Sequence, residues 1–281
     1  MFSYRHGFHA GNHTDVLKHL VLVQLLAHMV AKDKPFQMVD THAGAGGYSL
    51  SDTFAVKNAE FENGIGRLWA RQDLPPALAE YVAQVRAYNP DGALRYYPGS
   101  PQLALQMSRE EDRIRLYEMH TTEIQVLHNH FAGARRRVAI HATDGFTGLK
   151  SALPPPSRRG LVLIDPSYED KGDYRSVTVT LRDALERFAT GIYAVWYPVV
   201  QRRDARDLPA KLQRLAQGDW LHVSLEVMAP PREGFGLYGS GMFIFNPPWK
   251  LEATLRQVMP FLTEVLAQDK AAHFGLQYRQ T

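Results

Sequence analysis

The sequence predicts an α/β fold: an open, mostly parallel sheet of seven strands with an antiparallel last strand, plus a small helical insertion. Three observations predict it. Short apolar runs of strand length recur at 36–40, 113–119, 138–142, 160–164, 191–197, 221–227 and 241–245. Helical stretches fall between most of them, at 101–108, 122–131, 144–152, 180–187 and 205–217, and such alternation favours parallel strands. The last two runs are joined only by 229–240, rich in Pro and Gly, which suits an antiparallel pair at one sheet edge.

Taken in order, 14–32 reads as a helix, with Thr14 or Asn12 as its cap and Val16, Leu17, Leu20, Val21, Val23, Leu26 and Val30 as apolar faces. The strand 36–40 runs straight into the glycine-rich turn Thr41-His-Ala-Gly-Ala-Gly-Gly47. From 51 to 98 the texture changes to two Trp- and Tyr-bearing helical stretches around Pro75-Pro76, closed by Asn89-Pro-Asp-Gly92. A structureless loop of that length is improbable in a compact chain, so 51–98 is assigned to a helical insertion subdomain, and 1–50 with 99–281 to the core. No internal repeat interrupts this scheme.

The 281 residues, 45% hydrophobic and 22% charged, are enough for a sizeable core. There is no cysteine, which excludes disulfides, thiolate nucleophiles and Cys-ligated zinc. The N-terminus lacks the pattern of a secretory signal, and the most apolar stretch, 16–30, is broken by Lys18, His19, Gln24 and His28. A cytoplasmic protein without membrane contact is the expectation. Net charge is only +3, but the arginines cluster at Arg135-Arg-Arg137, Arg158-Arg159, Arg202-Arg203 and Arg206. Several such clusters beside one set of strands point to a phosphate-tracking surface; solvated loop ends are the plainer alternative.

Ligands of open α/β sheets bind beyond the carboxyl ends of the strands. Asp40, Glu118, Asp144 and Asp165 each follow a strand, so four carboxylates are expected on one rim. Glu118, after the second strand, suits the two hydroxyls of a ribose, and Asp144 can accept from an adenine amino group. The glycine turn lets backbone approach a ligand, because no Cβ intervenes. It satisfies neither G-x-G-x-x-G nor a phosphate-cradling P-loop, and a ligand-free tight turn remains open. More telling is Leu161-Val-Leu-Ile-Asp165-Pro166-Ser167-Tyr168. An exocyclic amine on a base is a poor nucleophile, because its lone pair is delocalised into the ring. The Asp165 carboxylate and the Pro166 carbonyl can accept its two N–H groups, and Tyr168 can stack on the base.

The strand pattern, the glycine turn and the Asp-Pro-x-Tyr segment resemble class I (Rossmann-like) methyltransferases of the N6-adenine type. The resemblance is closer to the bacterial 23S rRNA (adenine-2030-N6)-methyltransferase family, RlmJ. It is carried by Ser3-Tyr-Arg-His6, Phe8-His-Ala-Gly-Asn-His13, Asp15-Val-Leu-Lys-His19, Asp40-Thr-His-Ala-Gly-Ala-Gly46, Leu94-Arg-Tyr-Tyr-Pro-Gly-Ser-Pro101 and Asn246-Pro-Pro-Trp-Lys-Leu251, among other segments. The resemblance implies S-adenosylmethionine as cofactor, held around His19, His42, Gly44, Ser100, Glu118, Asp144, Gly145 and Asp165, with no metal. It implies Asp165 as catalytic acceptor, and Tyr4, His6 and Lys18 at the adenosine-accepting side. It further implies protein-free 23S ribosomal RNA as partner, a monomer, and an insertion that helps grip RNA.

One position departs from the family's Asp-Pro-Pro-Tyr: here the third residue is Ser167. The second proline contributes stiffness and no hydrogen bond, so a looser loop and slower turnover are expected. Asn246-Pro-Pro-Trp249 also looks like an amine-methyltransferase motif, but it follows the seventh strand and reads as a structural turn. His9 and His13 have the spacing of a metal pair but lack an obvious third ligand. DNA adenine or a protein amide as acceptor, and a non-catalytic RNA-binding relative, are the competing functions.

Overall fold

The computed structural model describes residues 7, 9–51, 59–232 and 236–280. Helix α1 (His13–Val30) begins where the Asn12 carboxamide accepts from the backbone N–H groups of Thr14 and Asp15, so Asn12 is the cap. Its faces are buried almost all round, because it lies between the sheet and the insertion helix α2 (Pro76–Ala87).

The strands are β1 (Gln37–Asp40), β2 (Gly47–Ser49), β3 (Tyr96–Pro98), β4 (Arg113–Tyr117), β5 (Val138–His141), β6 (Gly160–Ile164), β7 (Ile192–Val199), β8 (Trp220–Glu226), β9 (Gly239–Phe245) and β10 (His273–Arg279). Helices α3 (Ser100–Met107), α4 (Thr121–His130), α5 (Gly145–Ala152), α6 (Asp173–Arg187), α7 (Arg203–Leu215) and α8 (Leu251–Leu266) connect or follow them. Eight strands form one sheet in the order β10-β8-β9-β7-β6-β1-β4-β5, and β2 pairs with β3 in a small ribbon. β6 and β1 are buried at every position, as central parallel strands covered on both faces must be.

This is the class I methyltransferase architecture, with an eighth strand added. β9 runs antiparallel to both β7 and β8 and lies between them. The antiparallel pair is therefore one place in from the edge, which β10 occupies by pairing with β8. α8, a further addition, runs through Pro260, a residue that argues against helix in sequence. α6 starts seven residues before the predicted 180, through β-branched residues that favour strand in isolation.

The expected insertion holds a 3-10 turn (Glu60–Asn63), a helical turn (Gly66–Trp69) and α2. Leu78, Tyr81, Val82 and Val85 are fully buried against the core. Gln24 on α1 donates to Glu80 at 2.8 Å, and Arg67 donates to the carbonyls of Val265 and Ala267 at the end of α8. Among the described residues, no helix is long and apolar enough to cross a membrane.

Candidate active site

Parallel pairing puts Asp40, Leu116, Leu163 and Val195 toward one rim, and a cavity of about 570 Å³ opens there. Each strand-end carboxylate named from sequence is at this rim, but each has its own environment.

Asp40 is wholly buried beneath the cavity. Ser100, at the start of α3, donates to it at 2.6 Å, and the His42 backbone N–H at 3.2 Å. Burial pushes its pKa up to about 6 against these bonds, with Asp165 adding to the rise.

The glycine turn leaves β1 with Gly44 and Gly46 at φ +60° and +85°, values open to glycine. The Gly44 N–H donates to Glu118 at 2.8 Å, and the His120 N–H to the other Glu118 oxygen at 2.7 Å. Two backbone donors thus fix that carboxylate at the cavity wall with lone pairs to spare.

Asp144 caps α5, accepting from the N–H groups of Phe146 and Thr147 and from the Thr147 hydroxyl. A Cβ on Gly145 would lie 1.9 Å from the Thr41 carbonyl oxygen, so only glycine lets α5 start this close to the end of β1. The His42 ring is half-buried, bonded to the Thr41 hydroxyl at 2.8 Å and set edge-on to Phe146. Burial pushes its pKa down to about 4, which leaves it neutral near pH 7.

His19 faces the cavity from α1. Its Nδ1 meets the Tyr97 hydroxyl at 2.7 Å, which in turn meets the Tyr81 hydroxyl of α2 at 2.9 Å.

Asp165 lies between the cavity and a buried ammonium. Lys18 Nζ is 2.6 Å from Asp165 and 2.8 Å from Asp15, with 4% of its side chain exposed. Burial alone would depress its pKa, but the two carboxylates outweigh this and hold it above the usual lysine value. The Lys18 Nζ also sits 5.8 Å from the centre of the Trp196 ring. Pro166 and Ser167 continue the same wall.

Tyr168 corrects the expectation of a stacking platform. Its φ of +54° turns the ring inward, where it is 2% exposed and packs on Tyr174 and Trp196. Its hydroxyl donates to the Trp196 carbonyl at 2.7 Å. Tyr168 therefore braces the 165–170 loop from below and does not face the cavity. Tyr4 and His6 lie outside the described residues.

Sequence reasoning missed Asp15, although an Asp and a Lys three apart on a largely apolar helix mark a buried pair. It also missed Glu123, Glu169, Asp170 and Asp173, which follow two of the strand ends and join Glu118, Asp144 and Asp165 around the cavity. Against these seven carboxylates, Lys18 is the one lysine or arginine lining the cavity among the described residues. Crowding with Asp170 adds to burial in pushing Asp173 up to about 6.

The arginine clusters are divided between the two rims. Arg202, Arg203 and Arg206 follow β7 and are on the cavity side, where Arg202 donates to the Tyr168 carbonyl at 3.2 Å. Arg135–Arg137, Arg158, Arg159 and the Asn246-Pro-Pro-Trp segment are at the opposite ends of the strands. His9 pairs with Glu60 at 2.9 Å, and burial pushes His13 down to about 4.

Comparison with known proteins gives a consistent result. The family described as "Ribosomal RNA large subunit methyltransferase D, RlmJ" matches residues 33–279. "Ribosomal RNA large subunit methyltransferase J" of Escherichia coli is 44% identical over 273 residues, covering 97% of each chain. Its namesake from Haemophilus influenzae is 42% identical over 279 residues, covering 99% of each. A crystal structure of a Legionella pneumophila protein superposes with a TM-score of 0.88 at 35% identity, covering 96% of this chain and 98% of that one.

Proposed function

Since this chain belongs to the RlmJ family of ribosomal RNA large subunit methyltransferases, we propose that it methylates N6 of an adenine, adenine 2030, in 23S ribosomal RNA, using S-adenosylmethionine. The substrate in this reading is protein-free RNA, the working form a cytoplasmic monomer, and 51–98 the subdomain that helps grip RNA. The observation that carries the chemistry is Asp165-Pro166 on the wall of a carboxylate-lined cavity, with Asp165 held by a buried lysine.

The residues present fit the donor. Gly44 takes a left-handed φ of +60°, and a Cβ on Gly99 would meet the Gly46 carbonyl oxygen at 2.9 Å, so the cradle needs both glycines. S-adenosylmethionine, when bound, supplies a methyl group already activated on a cationic sulfonium, and an acidic cavity favours that charge. Glu118 would hold the ribose hydroxyls, Asp144 the adenine amino group, and Gly44, Gly145, His19, His42 and Ser100 the remaining walls.

The chain's own work is on the acceptor. Asp165 accepts one N–H of the target amine and the Pro166 carbonyl the other. Both bonds favour a pyramidal nitrogen with its lone pair free of the ring. Asp165 is also the base nearest the proton that the nitrogen must lose once its new bond to carbon forms. Lys18 fixes that carboxylate from behind, and Asp15 fixes Lys18. Tyr4 and His6 are proposed at the side where adenosine enters. An adenine reaches such a cavity by leaving its stack.

Incubation with radiolabelled donor and protein-free 23S rRNA, then digestion to nucleosides, tests this. The expected product is N6-methyladenosine at one position. Asp165→Ala and Asp165→Asn should each slow transfer by about 10²–10⁴-fold, while donor affinity changes less than tenfold. Near-native turnover in both variants, or label recovered in another nucleoside, would overturn the reading.

A further inference from the structure

The rim opposite the cavity carries a set of exposed basic side chains of its own. Register places Gln37, Arg113, Gly160, Ile192, Phe245 and Trp220 near one line at the rim opposite the cavity. The loops entering that line carry Lys32 and Lys34 before β1, Arg135 and Arg136 before β5, and Arg158 before β6. All five are exposed, and none makes an ion pair with a carboxylate among the described residues.

The same rim holds the described protein's most exposed large apolar side chain. Trp249 is 71% exposed, and Lys250 Nζ sits 5.0 Å from its ring centre. Its turn is built. Asn246 takes a left-handed φ of +53° and donates from its amide to the carbonyls of Ala189 and Gly191, both at 2.7 Å.

The loops are braced as well. Arg109 donates to the carbonyls of Lys32 and Lys34, and Arg159 to those of Lys34 and Met29. Five strand spacings separate β9 from β5, about 24 Å, which is room for several nucleotides.

The cavity lining is itself rich in carboxylates, and the exposed Arg202, Arg203 and Arg206 flank it only beyond β7. A long polyanionic substrate gains from phosphate neutralisation at more than one place. We propose that the rim opposite the cavity is a second RNA-binding face. Arg135, Arg136, Arg158 and the lysines before β1 track phosphates, and Trp249 stacks on an unpaired base. The RNA segment bound there is distinct from the one that delivers the target adenine, so the two contacts reinforce each other through the RNA that joins them. The proposal rests on ribosomal RNA as substrate and not on which atom is methylated.

Fluorescence anisotropy on the full chain tests it, with two RNAs: a long protein-free 23S fragment and a short hairpin carrying one target adenine. Arg135→Glu/Arg136→Glu/Arg158→Glu should weaken the long RNA at least tenfold and flatten its salt dependence by roughly 0.7–0.9 in log–log slope for each phosphate no longer neutralised. Trp249→Ala should weaken it about fivefold or more. Hairpin and donor affinities should stay within twofold in both variants. Native affinity and salt slope for the long RNA would overturn the proposal, as would equal weakening of both RNAs. Because binding is read without methyl transfer, failure here leaves the Asp165 reading intact, and failure of that reading leaves this one.

Discussion

Asp40 shows how the site shapes stability at a single residue. It is fully buried, and its pKa is raised to about 6 from an ordinary 3.8. The sign follows from the direction. Folding favours its protonated form, so its stabilising contribution is complete below about 3.8 and is lost as pH rises through about 6. A shift of roughly two units corresponds to about 3 kcal/mol. Asparagine keeps the size and one acceptor oxygen while removing the titration. Against the native chain, Asp40→Asn should therefore gain roughly 2–2.5 kcal/mol between pH 4 and pH 7, on top of a pH-independent loss of about 1 kcal/mol for one hydrogen bond. Denaturant titrations at a series of pH values read this directly, and a constant gap would show that Asp40 titrates normally. The histidines His13 and His42, pushed down to about 4, work in the opposite sense, losing stability as pH falls below about 6.5. Only the difference between native and variant isolates the aspartate.

At the scale of elements, the junction of β1, the glycine turn and α5 sets the cavity wall proposed to hold the donor. The added methyl of Gly145→Ala would meet a backbone carbonyl, which cannot swing aside, so α5 itself must move. The expected cost is about 1–3 kcal/mol of stability, with donor affinity reduced tenfold or more by calorimetry. Gly133→Ala is the control, because nothing lies within 4 Å of its added Cβ. Native donor affinity in Gly145→Ala would remove that junction from the donor site. The same comparison shows why parts of the fold were legible. β6 was read with its observed limits because a continuous apolar run bounded by Arg159 and Asp165 has one plausible strand. β10 was not read, although Phe274, Leu276 and Tyr278 alternate, because they are only half-buried on an edge strand. α8 hid behind Pro260. Among the site residues, strand-end acids were legible because parallel topology fixes their rim. Asp15 and the orientation of Tyr168 were not, because helix packing and one positive φ decide them.

Across the whole molecule, the cavity is assembled from residues on both sides of the insertion, from Lys18 to Ser176. The insertion is tied to it through the chain of His19, Tyr97 and Tyr81, and to α8 through Arg67. A segment with its apolar side chains buried against α1 has no separate core to keep once that helix loosens. The described fold should therefore melt as one unit, and a ligand of the cavity should stabilise all of it. At a donor concentration 100 times its dissociation constant, linkage gives about 2.7 kcal/mol, or an upward shift in Tm of roughly 5 °C for a chain of this size. Calorimetry should show one transition moving as a whole, and intrinsic fluorescence, to which Trp69 of the insertion contributes, should move with it. A second transition left at its original temperature while the main one rises would show that the insertion folds apart from the site, and the hydroxyl–imidazole chain would then carry no coupling between them.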